Sequence, residues 1–397
     1  MSRMKNSVAI ITNNTECEKH IQYYATLEKY FDANAWRVED HFQVDKAVIC
    51  ACGFHDFMYK KIRNAVKALK KSGLSEADIL ILGCLPKTHE KELASDFSGT
   101  VIELGNEHLL DQMFNAQVKF SDIRPAHLFT PMEPERANTK YYIKVATGCM
   151  QKCTFCVINK AKGKLRSEPR EAIMEQFRGA ISKGYRNIFL MAEDTFAYGR
   201  DTGTDIISLV ESMIKDAPEA NFHFGSLHIW WLRDYADGIL SLCQRGYVKH
   251  LHVGLQHVCD GILKRMGRAV RFDEVYAVLC RIKENCPQVR LSADIMVGFP
   301  GESQADFDRL VDFFKQDPCF DQISHFGFSD VRGAASHHFK DKVDPLQVAY
   351  RWELLRETLG ERSYYNRTEK KDEQYRQAYI STFDNDYAFC RNTYIHP

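Results

Sequence analysis

The chain has 397 residues, 45% hydrophobic and 27% charged, with a formal net charge of zero. That size and composition describe a folded globular protein with room for two cores, and they exclude a largely disordered one. The balanced charge excludes a global basic field of the kind that draws a protein to RNA or acidic membranes, leaving only a local basic face.

The opening MetSerArgMetLysAsnSer runs straight into a short apolar segment and lacks the features of a secretory signal. No apolar run is long enough to span a bilayer, so a cytoplasmic protein with no membrane partner is expected. Thirteen cysteines, an odd number, read in that setting as metal ligands and buried thiols rather than a disulfide framework.

Short apolar runs at Val8–Thr12, Ala47–Cys50, Asp78–Gly83 and Thr100–Leu104 alternate with stretches of helical periodicity, which predicts a small parallel α/β domain over residues 1–104. Cys17, Cys52 and Cys84 each stand at or just beyond the end of one of these strands. A parallel sheet gathers such positions along one edge, where they serve as cluster ligands or as buried structural thiols. Cys50 shares a face with Cys52 if its strand continues, and is a core residue if the strand ends at Ala51. Residues 105–139 carry Pro125, Pro131 and Pro134 with little periodicity and read as a linker.

From residue 140 to 359 a second series follows, with strands expected at Tyr141–Thr147, Asn187–Ala192, Asn221–Leu227, His250–Gln256, Arg290–Val297 and Gln322–Ser329. Amphipathic helices fall between them, such as Arg170–Lys183 and Phe272–Asn285. Six β–α units imply a parallel sheet in a partial (β/α)6 barrel, whose functional groups collect at the carboxyl ends of the strands. The residues after Leu359 are polar and aromatic and form a short tail.

Just after the first of these strands come Cys149, Cys153 and Cys156. Three soft thiolates can hold three corners of a [4Fe–4S] cube and leave one iron open. Structural zinc wants four ligands, usually as two spaced pairs, and a disulfide fits the triplet less well still. With Phe155 between the second and third cysteines, the triplet has the form of the radical S-adenosylmethionine (SAM) signature. Phe155 then shields the cube beside the adenine, or simply packs in the core.

Further along, AlaGluAsp at 192–194 follows the second strand, where radical SAM folds take the methionine ammonium, and charge and position favour Glu193. Gln256 and Asp294, near the ends of the fourth and fifth strands, suit ribose hydroxyls or the carboxylate, or a solvated structural role. GlyPheProGlyGlu at 298–302 is a turn in which Gly298 allows close backbone approach, pointing to the adenine rim. Arg166, Arg170, Arg265 and Arg268 fit an acidic peptide or phosphate backbone, with plain solvation as the default. Trp230 and Trp231 line a groove or pack in the core.

ThrGluCysGluLys (15–19), ValIleCysAlaCysGlyPhe (48–54) and LeuGlyCysLeuProLys (82–87) resemble the three ligand loops of the radical SAM methylthiotransferases, the MiaB and RimO group. The cysteine triplet with LysGlyLysLeuArgSerGluPro (162–169), LeuMetAlaGluAspThrPheAlaTyrGlyArgAsp (190–201), the run from Gly254 to Arg268, and AspIleMetValGlyPheProGlyGlu (294–302) are similar to the RimO branch. The resemblance implies two [4Fe–4S] clusters, one on Cys149, Cys153 and Cys156 and one on Cys17, Cys52 and Cys84, with Cys52 chosen over Cys50. It further implies SAM as cofactor, an electron donor such as flavodoxin or ferredoxin, and a protein or peptide substrate that receives a methylthio group at an unactivated carbon. A tRNA substrate is the alternative, disfavoured by the zero net charge, and a non-catalytic iron–sulfur scaffold is a third reading. Family members usually end in a TRAM domain, so the tail over 360–397 is expected to be a remnant of one.

Overall fold

The computed structural model describes residues 6–14, 17–53, 56–126, 128–129 and 140–365. Two parallel sheets organise it. The first contains β1 (Ser7–Thr12), β2 (Arg37–Glu39), β3 (Lys46–Ala51), β4 (Ile79–Gly83) and β5 (Thr100–Glu103), in the order β2-β1-β3-β4-β5 with every pairing parallel. Its central strands are runs of Val, Ile, Leu and Ala because helices cover both faces. Ala9, Ile11, Ala47, Ile49 and Ile81 form one buried layer with Ile62, Ala65 and Leu69 of helix Asp56–Lys71. Val8, Ile10, Val48, Leu80 and Leu82 form the other with Tyr24, Leu27 and Phe31 of helix Glu18–Ala33. β3 ends at Ala51, so Cys50 points into that second layer and is fully buried.

In a doubly wound sheet of this order the crevice opens beyond the carboxyl ends of β1 and β3, where the chain crosses to opposite faces. Cys17 and Cys52 stand there, and Cys84 follows β4 alongside. The first domain does not stop at residue 104. Helix His108–Met113 and the turn Phe120–Asp122 pack onto the Val8 layer, with Leu110 and Phe114 buried and Phe120 and Ile123 against them. Much of the segment expected as a linker is therefore part of this core, because four widely spaced apolar residues suffice to anchor it.

The second sheet has seven strands: β6 (Leu128–Phe129), β7 (Lys140–Lys144), β10 (Asn187–Met191), β11 (Asn221–His228), β12 (Val248–Gln256), β13 (Arg290–Val297) and β14 (Gln322–Gly327), in the order β14-β13-β12-β11-β10-β7-β6. Six run parallel, as the sequence spacing implies, and β6 joins antiparallel at one edge. The sheet stays open between β14 and β6. A small antiparallel ribbon, β8 (Ala146–Thr147) with β9 (Arg166–Ser167), brackets the cysteine triplet. In β12, Leu251, Val253 and Leu255 face the helices, while His250, His252 and Gly254 face the concave side.

Helix Pro345–Leu359, which the sequence reading did not foresee, packs against β14 through Leu355 and Leu359 and buries Arg351. The expected TRAM remnant, apart from residues 360–365, lies outside the described residues. Among the described residues no helix is long and apolar enough to cross a membrane.

Candidate functional site

The loop carrying Cys149, Cys153 and Cys156 is pinned from several directions. Gly148, at φ 81°, opens it, and an added Cβ there would meet the Lys164 carbonyl oxygen at 2.2 Å. Asn159 donates to the Cys149 carbonyl at 2.7 Å, and Thr154 donates from N to the Met266 carbonyl and from Oγ1 to the Arg265 carbonyl at 3.0 and 2.8 Å. Backbone N–H groups of Gln151 and Ile158 point at the Cys149 and Cys156 sulfurs, each at 3.4 Å. Trp230 N donates to His228 Nδ1 at 3.2 Å, which leaves Nε2 as the protonated nitrogen of the neutral ring. That nitrogen lies 3.6 Å from Cys153 Sγ. Burial, assisted by Arg268, holds His228 neutral with a pKa of about 2.

Burial pushes the Cys149 thiol up to about 12 and Cys156 to about 11. Thiols in such surroundings become thiolates when a metal replaces the proton, and N–H donors aimed at sulfur suit that state. Among the described residues, no three His, Cys, Asp or Glu side chains are placed to hold a single metal ion. The cysteine triplet, with no fourth ligand beside it among the described residues, suits the donor set of a cluster with one open iron better than a single ion.

Two buried polar atoms beside this loop have no protein partner among the described residues. Asp194 uses Oδ2 to accept from Trp231 Nε1 at 2.8 Å and Gln151 Nε2 at 3.2 Å, while Oδ1 is unpaired, and burial raises its pKa. Arg268 is only 7% exposed; its NH1 donates to the Gly254 carbonyl, its guanidinium lies 5.5 Å from the Phe155 ring centroid, and its Nε is unpaired. The default of a solvated Arg268 is therefore corrected: the run from Gly254 folds it back under the cysteine loop. Arg265 is half-exposed and forked onto Asp341 at 2.7 Å to both oxygens, while Arg166 and Arg170 lie at the surface. Trp231 is core, bonded to Asp194, and Trp230 is half-buried under Arg233.

Phe155 meets Phe299 edge to face at 6.5 Å, so the cysteine loop touches the turn at 298–302. Glu302 closes that turn by accepting from Gly298 N at 2.6 Å and Phe299 N at 3.2 Å, and Arg351 pairs with it at 2.9 Å. Gly298 has φ 73°. Gln256, 7% exposed at the end of β12, has φ 76°, a costly backbone for a non-glycine residue and one that clusters at functional sites. Asp294, on the concave face, lies 3.1 Å from His252 Nε2. Ser292 Oγ bridges His252 Nδ1 at 2.8 Å and His250 Nε2 at 2.7 Å.

Cys17, Cys52 and Cys84 line one cavity of about 810 Å3 between the two domains. Asn13 clamps the Cys52 backbone, accepting from its N at 2.8 Å and donating to its carbonyl at 3.1 Å. Asn14 donates to Cys52 Sγ at 3.3 Å and accepts from Cys17 N at 3.2 Å. Sequence reasoning passed over both asparagines, although a polar pair directly after an apolar strand is the kind of signal that marks a ligand loop. Burial pushes Cys84 up to about 12, with Lys162 pulling the other way. Val157 and Ile158, next to Cys156, line the same cavity, as do Lys162 and Glu193. The triad of Cys17, Cys52 and Cys84 and the segment just after Cys156 thus border one space.

Glu193 does not stand free in that space. Its Oε2 accepts from Gly148 N at 2.9 Å, and its Oε1 faces Lys162 Nζ at 2.7 Å and Lys19 Nζ at 3.6 Å.

Residues 143–314 match the family model described as the Radical SAM superfamily. The chain is 28% identical over 326 residues to the "Ribosomal protein uS12 methylthiotransferase RimO" of Chlamydia pneumoniae, covering 78% of this chain and 68% of the relative. It is 27% identical over 338 residues to the protein of the same description from Shewanella baltica (strain OS195), covering 80% and 69%. Among solved structures, the radical S-adenosylmethionine methyltransferase TsrM from Kitasatospora setae aligns with TM-score 0.54 at 11% identity, over 82% of this chain and 75% of that one. The cobalamin-dependent S-adenosylmethionine radical enzyme OxsB aligns with TM-score 0.54 at 12% identity, over 95% and 62%. At such identities the two structures speak for the fold alone.

Proposed function

As the chain is a radical SAM enzyme of the methylthiotransferase kind, which works with SAM and [4Fe–4S] clusters, we propose that it places a methylthio group on an unactivated carbon of a polypeptide, with ribosomal protein uS12 as the first candidate. The observation that carries this reading is the cavity between the domains: Cys17, Cys52 and Cys84 line it, and so do Val157 and Ile158, the two residues that follow Cys156.

In this reading Cys149, Cys153 and Cys156 hold one cluster and Cys17, Cys52 and Cys84 the other. When bound, the cofactors supply reductive cleavage of the SAM sulfonium, hydrogen abstraction from the substrate carbon, and the sulfur that is methylated and transferred. The chain's own residues bind, orient and keep water out. Asp194, with one buried oxygen unpaired, takes the methionine ammonium in place of Glu193, whose two oxygens are already engaged. Arg268 offers its unpaired Nε to the carboxylate. Gln256 and Asp294, at the carboxyl ends of neighbouring strands, suit the ribose hydroxyls, and the Gly298 turn suits the adenine edge. Phe155 against Phe299 forms an apolar wall on the side of the cysteine loop, the kind of surface that protects a reactive species from solvent.

The test is Cys17→Ala in anaerobically reconstituted enzyme given a low-potential electron donor, SAM and purified uS12. Loss of methylthio transfer with 5′-deoxyadenosine still formed is expected. Unchanged transfer would remove the second triad from the mechanism.

A further inference from the structure

We propose that Glu193 is a positioning residue that holds the two cysteine triads in register across the domain boundary. The inference rests on the two-cluster reading and concerns how that site is assembled. Glu193 leaves the end of β10 and reaches three chain segments at once. Its Oε2 takes the N–H of Gly148, the residue before Cys149, at 2.9 Å. Its Oε1 takes Lys162 at 2.7 Å, the last residue of helix Ile158–Lys162 that leads away from Cys156. The same oxygen faces Lys19 at 3.6 Å, two residues beyond Cys17 on helix Glu18–Ala33, and Lys19 also donates to the Ala192 carbonyl at 2.9 Å.

The carboxylate is 4% exposed, Lys162 13% and Lys19 20%, so all three charges sit largely out of water. In that setting a charge cannot be released to solvent cheaply, and the geometry that pairs all three is strongly preferred over nearby ones. A surface ion pair would not impose such a constraint. The short helix Leu85–Thr88 after Cys84 packs on helix Ile158–Lys162, giving a second contact across the same boundary. One carboxylate against two ammonium groups leaves one net positive charge on the cavity wall that Cys17 and Cys84 share, beside the negative charge three thiolates would bring. Arg332 also pairs with Glu92 across the boundary at 2.9 Å, but in contact with solvent, whereas the charges around Glu193 are buried.

The experiment compares wild type, Lys19→Met, Lys19→Arg and Glu193→Gln as anaerobically reconstituted holoenzymes and as metal-free proteins. Lys19→Met should form 5′-deoxyadenosine at the wild-type rate but lower methylthio product per 5′-deoxyadenosine by on the order of tenfold or more, because misplacement of reacting groups by about 1 Å costs about a hundredfold. Electron paramagnetic resonance should show weaker, more dispersed dipolar coupling between the two reduced clusters, and Lys19→Arg should restore both. In metal-free Lys19→Met and Glu193→Gln, amide exchange should rise at the start of helix Glu18–Ala33; in Glu193→Gln it should rise also at Gly148–Cys149. Product ratio and coupling unchanged in Lys19→Met would overturn the inference, as would a parallel fall of both products. A single cluster in wild type sinks the two-cluster reading instead, and exchange on the metal-free proteins then decides the inference alone, unchanged exchange refuting it.

Discussion

Gly298→Ala gives a sharp test of how the turn at 298–302 is held. Its φ of 73° lies in the left-handed region, where a Cβ costs roughly 1–2 kcal/mol. That Cβ would also sit 2.4 Å from Val348 Cγ2, 3.0 Å from Cγ1 and 3.1 Å from Cβ. Valine is stiff at χ1, and its helix, Pro345–Leu359, is tied to the turn through Arg351 and Glu302 at 2.9 Å, so the neighbour cannot simply swing away. Overpacking of this sort adds about 1–3 kcal/mol, for a total of about 2–5 kcal/mol. Val348→Ala removes the two closest atoms but not the backbone cost, so in that background Gly298→Ala should cost only about 1–2 kcal/mol. Denaturant unfolding of metal-free protein followed by tryptophan fluorescence is a suitable assay, since Trp230, Trp231 and Trp352 all belong to the second domain and only Trp36 to the first. A loss below about 0.5 kcal/mol for the single variant, or no recovery in the Val348→Ala background, would refute the backbone geometry on which the proposed adenine edge depends.

Two further outcomes are expected. Burial lowers His250 to about 2 and His223 to about 3, far below the ordinary 6.5, so both rings are neutral in the fold. Depressed histidine values contribute stability that is present above pH 6.5 and is lost as pH falls towards the folded values, by up to about 1.4 kcal/mol per pH unit for each ring. His250→Gln should therefore lose less stability than wild type between pH 7 and pH 5.5, and equal losses would contradict a buried neutral ring. Arg268→Met should weaken SAM binding by roughly 10–100-fold, the worth of one hydrogen bond to a charged group, while cluster content holds. Titration of SAM against the cluster signal reads this directly, and wild-type affinity would remove Arg268 from the cofactor site.

Most of the architecture is legible in the sequence because its strands are runs of β-branched and aliphatic residues bounded by polar turns. The parallel strands from Ser7 to Gly327 fall within a residue or two of the apolar runs, apart from the short β2 and from β7, which stops at Lys144 while Ala146–Thr147 forms the separate β8. What the sequence hides is set by distant contacts. Leu110, Phe114, Phe120 and Ile123 carry no periodicity, yet they dock on the first core. Helix Pro345–Leu359 exposes Leu346 and Tyr350 while burying Arg351, the reverse of what an apolar-stripe reading expects. The grouping of Cys17, Cys52 and Cys84 is readable because each follows a strand at the same edge of a parallel sheet, and the end of β3 at Ala51 separates Cys52 from Cys50. The neighbouring charges are not readable in the same way. Nothing local distinguishes Glu193 from Asp194; partners that arrive from residues 19, 148 and 162 engage the first, while the second keeps an oxygen unpaired. Arg268 looks like any solvated arginine until the chain from Gly254 turns it inward.

Iron and sulfide counting on oxygen-free reconstituted protein, with Mössbauer spectra, tests the central claim most directly. Wild type should hold about eight irons per chain, and the triple variants Cys149→Ala/Cys153→Ala/Cys156→Ala and Cys17→Ala/Cys52→Ala/Cys84→Ala about four each, all as [4Fe–4S]. About four irons in wild type, with one triple variant unaltered and the other empty, would contradict it.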